Sequence, residues 1–294
     1  SEVASLIMTA RDASAAWQRL AIWGSVLRVI SWPVVVRGAG AAAGGAFERC
    51  SNAHAQQLKN MMQPAEIQLI SQLINQTGAS SYFEWGTGGS TDSFPRALPR
   101  GGRAVAVENF PAWCSRVRAA PFASCAIAAG ALEYRCLAPE NETVGGAGYP
   151  AAWLRNHSDA ASTRAFGSYI DAIGKDAPSG GWDAVLVDGR FRVACLLEAL
   201  KFTTPNATIF LHDASRFVAL DSARLEAKYA QLRAPADHEE LVRLHRTHFT
   251  IEKYYEVAAR AGNLVQLRRR SGAPGAADAA DVTTYRRDPH RRRA

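Results

Sequence analysis

The stretch that most constrains the fold of this chain is SYFEWGTGGST, residues 81–91. It has the pattern of a short strand, which carries Glu84, followed by a turn and a helix start formed by Gly86, Thr87, Gly88, Gly89, Ser90 and Thr91. Glycines let the backbone pass close to a ligand, and free N–H groups at a helix start favour polar or anionic groups. The dinucleotide fingerprint G-x-G-x-x-G is not met, because Thr91 stands where its third glycine belongs. The stretch predicts a nucleotide-type site, with a purely structural turn as the alternative.

A second acid stands at the spacing of a ribose-binding group. Gly101 and Gly102 bound a predicted strand, Arg103 to Val107. This strand ends in Glu108, nineteen residues after Gly89. At that spacing, an acidic side chain at the end of the next strand accepts hydrogen bonds from ribose hydroxyls. The alternative is a solvated acid at a strand end.

Two later strands also end in polar groups. The apolar run Ala184 to Val187 is followed by Asp188 and Gly189, and Thr208 to Leu211 is followed by His212 and Asp213. In an open parallel sheet, the carboxyl ends of the strands face one crevice. We therefore expect these groups to converge with Glu84 and Glu108 on one site, although they are far apart in sequence.

The remaining patterns divide the chain into three parts. Residues 1–46 hold an apolar segment, Leu20 to Val36, and a flexible glycine and alanine joint. The segment is predicted to be a packed or interfacial stretch, or else a degraded signal anchor that would associate with a membrane. Residues 47–270 are predicted to form one α/β domain, and residues 271–294 a disordered basic tail.

Within the domain, apolar spacing predicts a helix over Pro64 to Gln76 and another around Leu220 to Leu232. Lys253 to Val257 and Leu264 to Leu267 read as a terminal hairpin. The glycine-rich segment Ala138 to Ser162 is predicted to be a loop on the substrate side.

Charge and cysteine content narrow the range of partners and metal ions that we expect this chain to bind. The net charge of +7 comes mostly from arginines near the C-terminus, and basic residues are not interleaved with aromatic ones, so nucleic acid is not expected as a partner. The five cysteines show no C-x-x-C spacing, which argues against zinc and leaves one or two disulfides open. Neither pattern predicts the oligomeric state.

Glycosylation sequons are unusually dense. Half of the eight asparagines begin an N-x-[ST] sequon, namely Asn75, Asn141, Asn156 and Asn206, where chance gives roughly one. This density predicts passage through the secretory pathway, with a Golgi location in the lumen or at the membrane. A cytoplasmic location with accidental sequons is the alternative.

Taken in order, FEWGTGGST, AVAVEN, WDAVLVDGRFR, TIFLHDAS and the hairpin resemble the landmark segments of the class I S-adenosylmethionine-dependent methyltransferases. The resemblance spans Pro64 to Arg270. GGST, VDG and FLHD are most similar to the glucuronoxylan 4-O-methyltransferase-like group of Golgi enzymes, which methylate polysaccharide sugars. The resemblance to the class I methyltransferases implies a Rossmann-like, doubly wound, mostly parallel α/β sheet with a C-terminal antiparallel hairpin.

The resemblance also implies a cofactor, S-adenosylmethionine, and residues that hold it. Glu108 would hold the ribose, and Asp188 would lie beside both the methionine end and the acceptor. The methionine pocket would be formed by Glu84, Gly86, Thr87, Gly88, Gly89 and Ser90.

Chemistry adds candidate catalytic groups. A sugar hydroxyl is a poor nucleophile at neutral pH and needs a base or a metal, and His212 and Asp188 are the candidates for the base. Asp213 is predicted to orient His212 or, with Asp188, to bind a divalent cation. His212 is alternatively a structural histidine. Arg190 and Arg192 are predicted to bind an acidic sugar through bidentate contacts, or else to be solvated at a helix start.

Three hypotheses for function follow. The first is an S-adenosylmethionine-dependent O-methyltransferase that acts on a carbohydrate in the secretory pathway. The second is a catalytically silent scaffold or glycan-binding protein of the same fold, and the third is a cytosolic methyltransferase for small molecules or proteins. Cofactor binding separates the first from the second, and occupied sequons separate the first from the third.

Overall fold

A computed structural model describes residues 45–53, 58–138, 166–218 and 246–287, all of which lie in one compact unit, Ala43–Ala294. Its centre is a seven-stranded sheet. The strands are β1 Ser81–Trp85, β2 Arg103–Glu108, β3 Leu132–Cys136, β4 Trp182–Val187, β5 Thr203–Leu211, β6 Tyr255–Ala261 and β7 Leu264–Arg269.

The strand order is β3-β2-β1-β4-β5-β7-β6. β1 to β5 are parallel, and β7 is antiparallel to both of its neighbours. The predicted doubly wound sheet with an antiparallel C-terminal hairpin is therefore confirmed. The order reverses between β1 and β4, and in such sheets the ligand crevice lies at that switch point.

Helices cover both faces of the sheet. They are α1 Ala46–Ala53, α2 Pro64–Thr77, α3 Gly89–Ser93, α4 Pro111–Arg118, α5 Pro121–Ala128, α6 Gly167–Ile170, α7 Arg192–Phe202, α8 at 246–254 and α9 Ala279–Arg287. Short 3₁₀ helices lie at Phe94–Ala97, Asp171–Gly174 and Ala214–Arg216. Because both faces are covered, the strands read as continuous apolar runs, and every residue of β1 is buried.

Alternate residues of each strand supply two separate cores. Phe83 and Trp85 face the core that holds α7, with Leu196 and Leu197, whereas Tyr82 faces the core that holds α2 and α5. This period of two is the ordinary consequence of strand geometry.

The helix predicted over Pro64 to Gln76 is confirmed with one more residue at its end. Pro64 occupies the first turn, where its missing N–H is harmless, and Gly78 closes the helix in the left-handed region at φ 63°. The carboxylate of Glu66 accepts a hydrogen bond from the Gln63 amide (2.7 Å), which caps the first turn.

Two predictions near the C-terminus were wrong. The first hairpin strand was expected at Lys253 to Val257, but residues 246–254 are helical and the strand begins at Tyr255. Disorder was expected from residue 271, but Ala279–Arg287 forms α9. Within α9, Arg286 pairs with Asp171 and with the buried Glu198.

One disulfide joins two helices, and another joins a helix to the sheet. Cys50 in α1 is bonded to Cys125 in α5, and Cys114 in α4 is bonded to Cys136 at the end of β3, with Cα–Cα distances of 5.6 and 5.9 Å. Cys195 is a buried free thiol in α7, and burial raises its pKa.

Several predictions lie outside the described residues. They are the segment Leu20 to Val36, the loop after Ala138 and the helix around Leu220 to Leu232. In the part of the chain that the structure describes, no helix is both long and apolar enough to cross a membrane.

Candidate active site

The ends of β4 and β5 bring together the acid and the histidine that the sequence predicts. The register pairs Val187 with Leu211, so the next residues, Asp188 and His212, are neighbours. Nδ1 of His212 lies 2.8 Å from Oδ1 of Asp188. The amide of Asp188 donates to the Trp85 carbonyl of β1 (2.9 Å), which places the pair at the switch point.

Arg192, in the first turn of α7, holds this pair in place. Its Nε donates to the Gly189 carbonyl (3.0 Å), and Nη2 donates to the carbonyl and Oδ1 of Asp188 (2.9 and 3.0 Å). Nη1 donates to the His212 carbonyl (2.7 Å) and lies 3.1 Å from Oδ2 of Asp213.

A guanidinium has five N–H donors, and all five of Arg192 are engaged within the chain. The prediction that Arg192 binds an acidic sugar was therefore wrong: its side chain is only 7% exposed and points at carboxylates and carbonyls. Arg190 is half-buried in the turn before α7, and its role in acceptor binding stays a prediction.

His212 lies between two acids. Its Nε2 is 3.5 Å from Oε2 of Glu66, opposite the bond to Asp188. Burial lowers the pKa of His212, but the hydrogen bond to Asp188 and the charges of Asp188 and Asp213 outweigh it, so the pKa lies above its ordinary value. Asp188 and His212 therefore form one hydrogen-bonded pair, and both stay candidates for the base.

Glu66 and Asn263 belong to the site but were not predicted. Glu66 is 1% exposed and accepts hydrogen bonds from the amides of Gln63 and Asn263 (2.7 and 2.8 Å). Nδ2 of Asn263 donates to Oδ1 of Asp213 (3.2 Å), so the turn between β6 and β7 reaches back to the end of β5. In the sequence, Glu66 shows only the signal of a helix cap.

The glycine turn after β1 packs against the turn after β4. Gly86 has φ 82°, and a Cβ there would lie 2.5 Å from the Cα of Gly189. A Cβ on Gly189 would overlap the hydroxyl of Tyr169. Both positions therefore require glycine, because a side chain would separate β1 from β4 at the switch point. Gly89 has a similar constraint, since a Cβ would overlap the backbone of Asn60.

Glu84 lies beneath the turn and does not face solvent. It is fully buried, and its carboxyl accepts hydrogen bonds from the hydroxyls of Tyr82 (2.6 Å) and Thr91. Thr91 in turn accepts from the Gly88 amide (3.1 Å). Burial raises the pKa of Glu84 to about 8, although both hydrogen bonds lower it. Glu84 thus shapes the turn from below, and Ser90 is buried beside it.

The carboxylate of Glu108 is hydrogen-bonded to the same turn and to the backbone that follows β2. Its Oε2 accepts from the amide and hydroxyl of Thr87 (3.0 and 3.1 Å), and its Oε1 accepts from the amides of Asn109 and Phe110 (2.9 and 2.8 Å). These four bonds fill the lone pairs of a carboxylate. The Thr87 hydroxyl also lies 2.8 Å from the hydroxyl of Tyr134, so it has a second partner to turn to.

The predicted cation ligands do not fit a metal as they are placed. Asp188 and Asp213 both direct an oxygen at the guanidinium of Arg192. Over the described ranges, no group of three or more histidine, cysteine, aspartate or glutamate residues is arranged to hold a metal ion.

A groove of about 390 Å³ lies at the other edge of the sheet, where β2 and β3 begin. It is lined by residues 45–48, 96, 98–102 and 129–131 and holds none of the predicted site residues. The crevice implied by the strand ends is therefore a different place.

The sequence matches no protein-family model and no curated protein. A methyltransferase-like protein from Silicibacter pomeroyi has a similar structure, with 22% identity and a TM-score of 0.50 over 79% of this chain and 99% of that protein. An O-methyltransferase from Bacillus cereus, whose structure was solved in complex with S-adenosylhomocysteine (SAH), has 17% identity and a TM-score of 0.47. The match covers 81% of this chain and 94% of that protein. With the strand order, the first likeness identifies the fold: this chain has the Rossmann-like fold of class I methyltransferases.

Proposed function

We propose that this protein is an S-adenosylmethionine-dependent O-methyltransferase that methylates a sugar hydroxyl of a polysaccharide or glycan. The observation that carries the proposal is the glycine turn after β1, flanked by Glu108 at the end of β2 and Asp188 at the end of β4. In a doubly wound sheet these three features surround the switch-point crevice. The sugar acceptor follows from the sequence resemblance alone, because the names of the structurally similar proteins specify no acceptor.

The residues present fit the cofactor. Glu108 would take the ribose, because the Thr87 hydroxyl can turn to Tyr134 and release one lone pair of the Glu108 carboxylate. Asp188 would lie beside the methionine end and the acceptor, since its Oδ2 has no partner among the residues the structure describes and the side chain is 25% exposed. When bound, S-adenosylmethionine supplies an electrophilic methyl group to the acceptor oxygen.

The chain's own part in the reaction is to hold the acceptor and remove its proton. Asp188 accepts the hydroxyl proton at Oδ2, while Arg192 and His212 fix the carboxylate through Oδ1. A hydroxyl becomes strongly acidic as its oxygen is alkylated, so a carboxylate is a sufficient base. Arg190 remains the candidate for contact with an acidic sugar.

The proposal includes a location in the secretory pathway. Disulfides persist in oxidising compartments, and two are present. Asn75 and Asn206, the two sequon asparagines within the described ranges, are both exposed, as a glycan requires.

The test is transfer of a radiolabelled methyl group to a panel of acceptors by protein made in a secretory host. The panel contains glucuronic-acid-bearing xylan, the same xylan with its acids reduced, catechols and a protein mixture. Label on xylan supports the proposal, and Asp188→Asn should abolish it. The matched control is Asp183→Asn, the same change at the other end of β4. Asp183 accepts hydrogen bonds there from the amides of Ser80 and Ser81.

Two outcomes would contradict the proposal. Cofactor binding without transfer to any acceptor would favour the silent scaffold. Label on catechols or proteins alone would favour the third hypothesis.

A further inference from the structure

Three side chains at the ends of β4 and β5 have the chemistry of a divalent-cation site. They are the carboxylates of Asp188 and Asp213, which both contact Arg192, and the imidazole of His212, which contacts Asp188. Carboxylate oxygens suit Mg²⁺ and Mn²⁺, and imidazole suits Zn²⁺. By residue type alone, a metal would be expected between the two acids.

The place between the two acids is filled by the chain itself. Nη2 of Arg192 is 3.0 Å from Asp188 Oδ1, and Nη1 is 3.1 Å from Asp213 Oδ2. The same guanidinium binds three backbone carbonyls, those of Asp188, Gly189 and His212. A metal ion could bind in this place, between Asp188 Oδ1 and Asp213 Oδ2, only after Arg192 had left, which would break all five of its hydrogen bonds.

Asp188 and Asp213 also already have partners within the chain. Asp188 and Asp213 are paired with Arg192, and Asp188 is further paired with His212. Arg216 adds a second cation 3.2 Å from Asp213, but its side chain is 43% exposed, and Asp213 is its one acidic partner among the described residues. A divalent ion added to this cluster would lie beside a buried guanidinium, and the repulsion between two cations in a poorly solvated place is large.

We propose that Arg192 is the resident cation of this site: it occupies the position between Asp188 and Asp213 that a divalent metal would need, and cofactor binding and methyl transfer are independent of divalent metal. For the transfer step the inference rests on the proposed function. Arg192 is a positioning residue, which holds Asp188 by Oδ1 and leaves Oδ2 for the ligand.

The primary test measures Mn²⁺ binding by electron paramagnetic resonance and needs neither cofactor nor acceptor. The wild-type chain is expected to bind no Mn²⁺, whereas Arg192→Ala is expected to bind about one equivalent through the two freed acids. Arg216→Ala removes a cation from the same Asp213 but leaves Arg192 in place, so it is expected to bind none. Arg192→Lys keeps the positive charge and is also expected to bind none.

Stoichiometric Mn²⁺ binding by the wild-type chain would overturn the inference. So would a folded Arg192→Ala variant that binds no Mn²⁺, with folding checked by circular dichroism. If Arg192→Ala does not fold, Arg192→Gln is used in its place and is also expected to bind about one equivalent of Mn²⁺. Stoichiometric Mn²⁺ binding by the wild-type chain would overturn the inference whichever variant is used.

A second arm measures methyl transfer with and without EDTA. The rate is expected to be unchanged, and a loss that Mn²⁺ or Mg²⁺ restores would overturn the inference. If no acceptor is methylated, the proposed function fails, while the Mn²⁺ result still decides the role of Arg192.

Discussion

The buried acid of the glycine turn gives the sharpest prediction about stability. Glu84 has no exposed surface, and its carboxyl is bonded to the hydroxyls of Tyr82 and Thr91. Burial raises its pKa from 4.5 to about 8, and the charge of Asp188 adds to the rise. The group is therefore protonated in the folded chain near neutral pH and ionised in the unfolded chain.

The sign and size of the effect follow from linkage. Between pH 4.5 and about 8 the folded state binds one more proton than the unfolded state, so stability falls as pH rises. Each pKa unit corresponds to about 1.4 kcal/mol, so the loss is about 3 kcal/mol near neutral pH and about 5 kcal/mol once pH exceeds the folded pKa. Below the unfolded pKa the loss vanishes.

Glu84→Gln removes the ionisable group and keeps the size and the oxygen that Thr91 donates to. We expect the variant to gain about 3 kcal/mol over the wild-type chain on going from about pH 4.5 to neutral pH. Urea unfolding of both proteins across this range measures the difference, and Glu256→Gln, an exposed change on β6, is the control. Curves for Glu84→Gln and wild type that stay parallel at all pH values would refute the assignment of a buried, protonated Glu84.

Three further predictions concern the turn, the cross-links and the sequons. Gly86→Ala should destabilise the chain by about 2 kcal/mol or more, because its Cβ would meet Gly189. Gly88→Ala is the control and should fold normally, since its Cβ would lie 3.6 Å from the Trp113 ring. Thermal unfolding distinguishes the two variants, and equal melting points would count against the packing of Gly86 on Gly189. Cys136→Ser, which opens a 22-residue separation, should cost about 3 kcal/mol in urea unfolding, and no change would argue against the pairing with Cys114. Asn75→Gln should remove one glycan from secreted protein by mass spectrometry, and an unchanged mass would count against use of that sequon.

The sequence predicted the fold and the positions of several candidate site residues, because the end of a buried strand has a recognisable pattern. A buried strand followed by a polar residue can be recognised locally, and sheet topology then brings Asp188 to His212 without any further information. The glycine at Gly86 was also recognisable, although its packing partner Gly189 was not.

The rest depended on contacts that a local pattern does not encode. Glu66 and Asn263 are 197 residues apart and meet only when the terminal hairpin folds back on α2. The sequence could not show whether Arg192 faces solvent or the carboxylates, since an arginine in a first helical turn fits either state. Glu108 was selected as a candidate by its spacing, and its role stays a prediction, but its four bonds within the chain were not foreseen.

Calorimetric titration with S-adenosylmethionine and its demethylated product shows whether this chain has a cofactor site. We expect saturable binding of about micromolar affinity to both ligands, weakened by Asp188→Asn and retained by Asp183→Asn. The absence of binding to folded wild-type protein would contradict this expectation and leave a methyltransferase fold that serves as a scaffold.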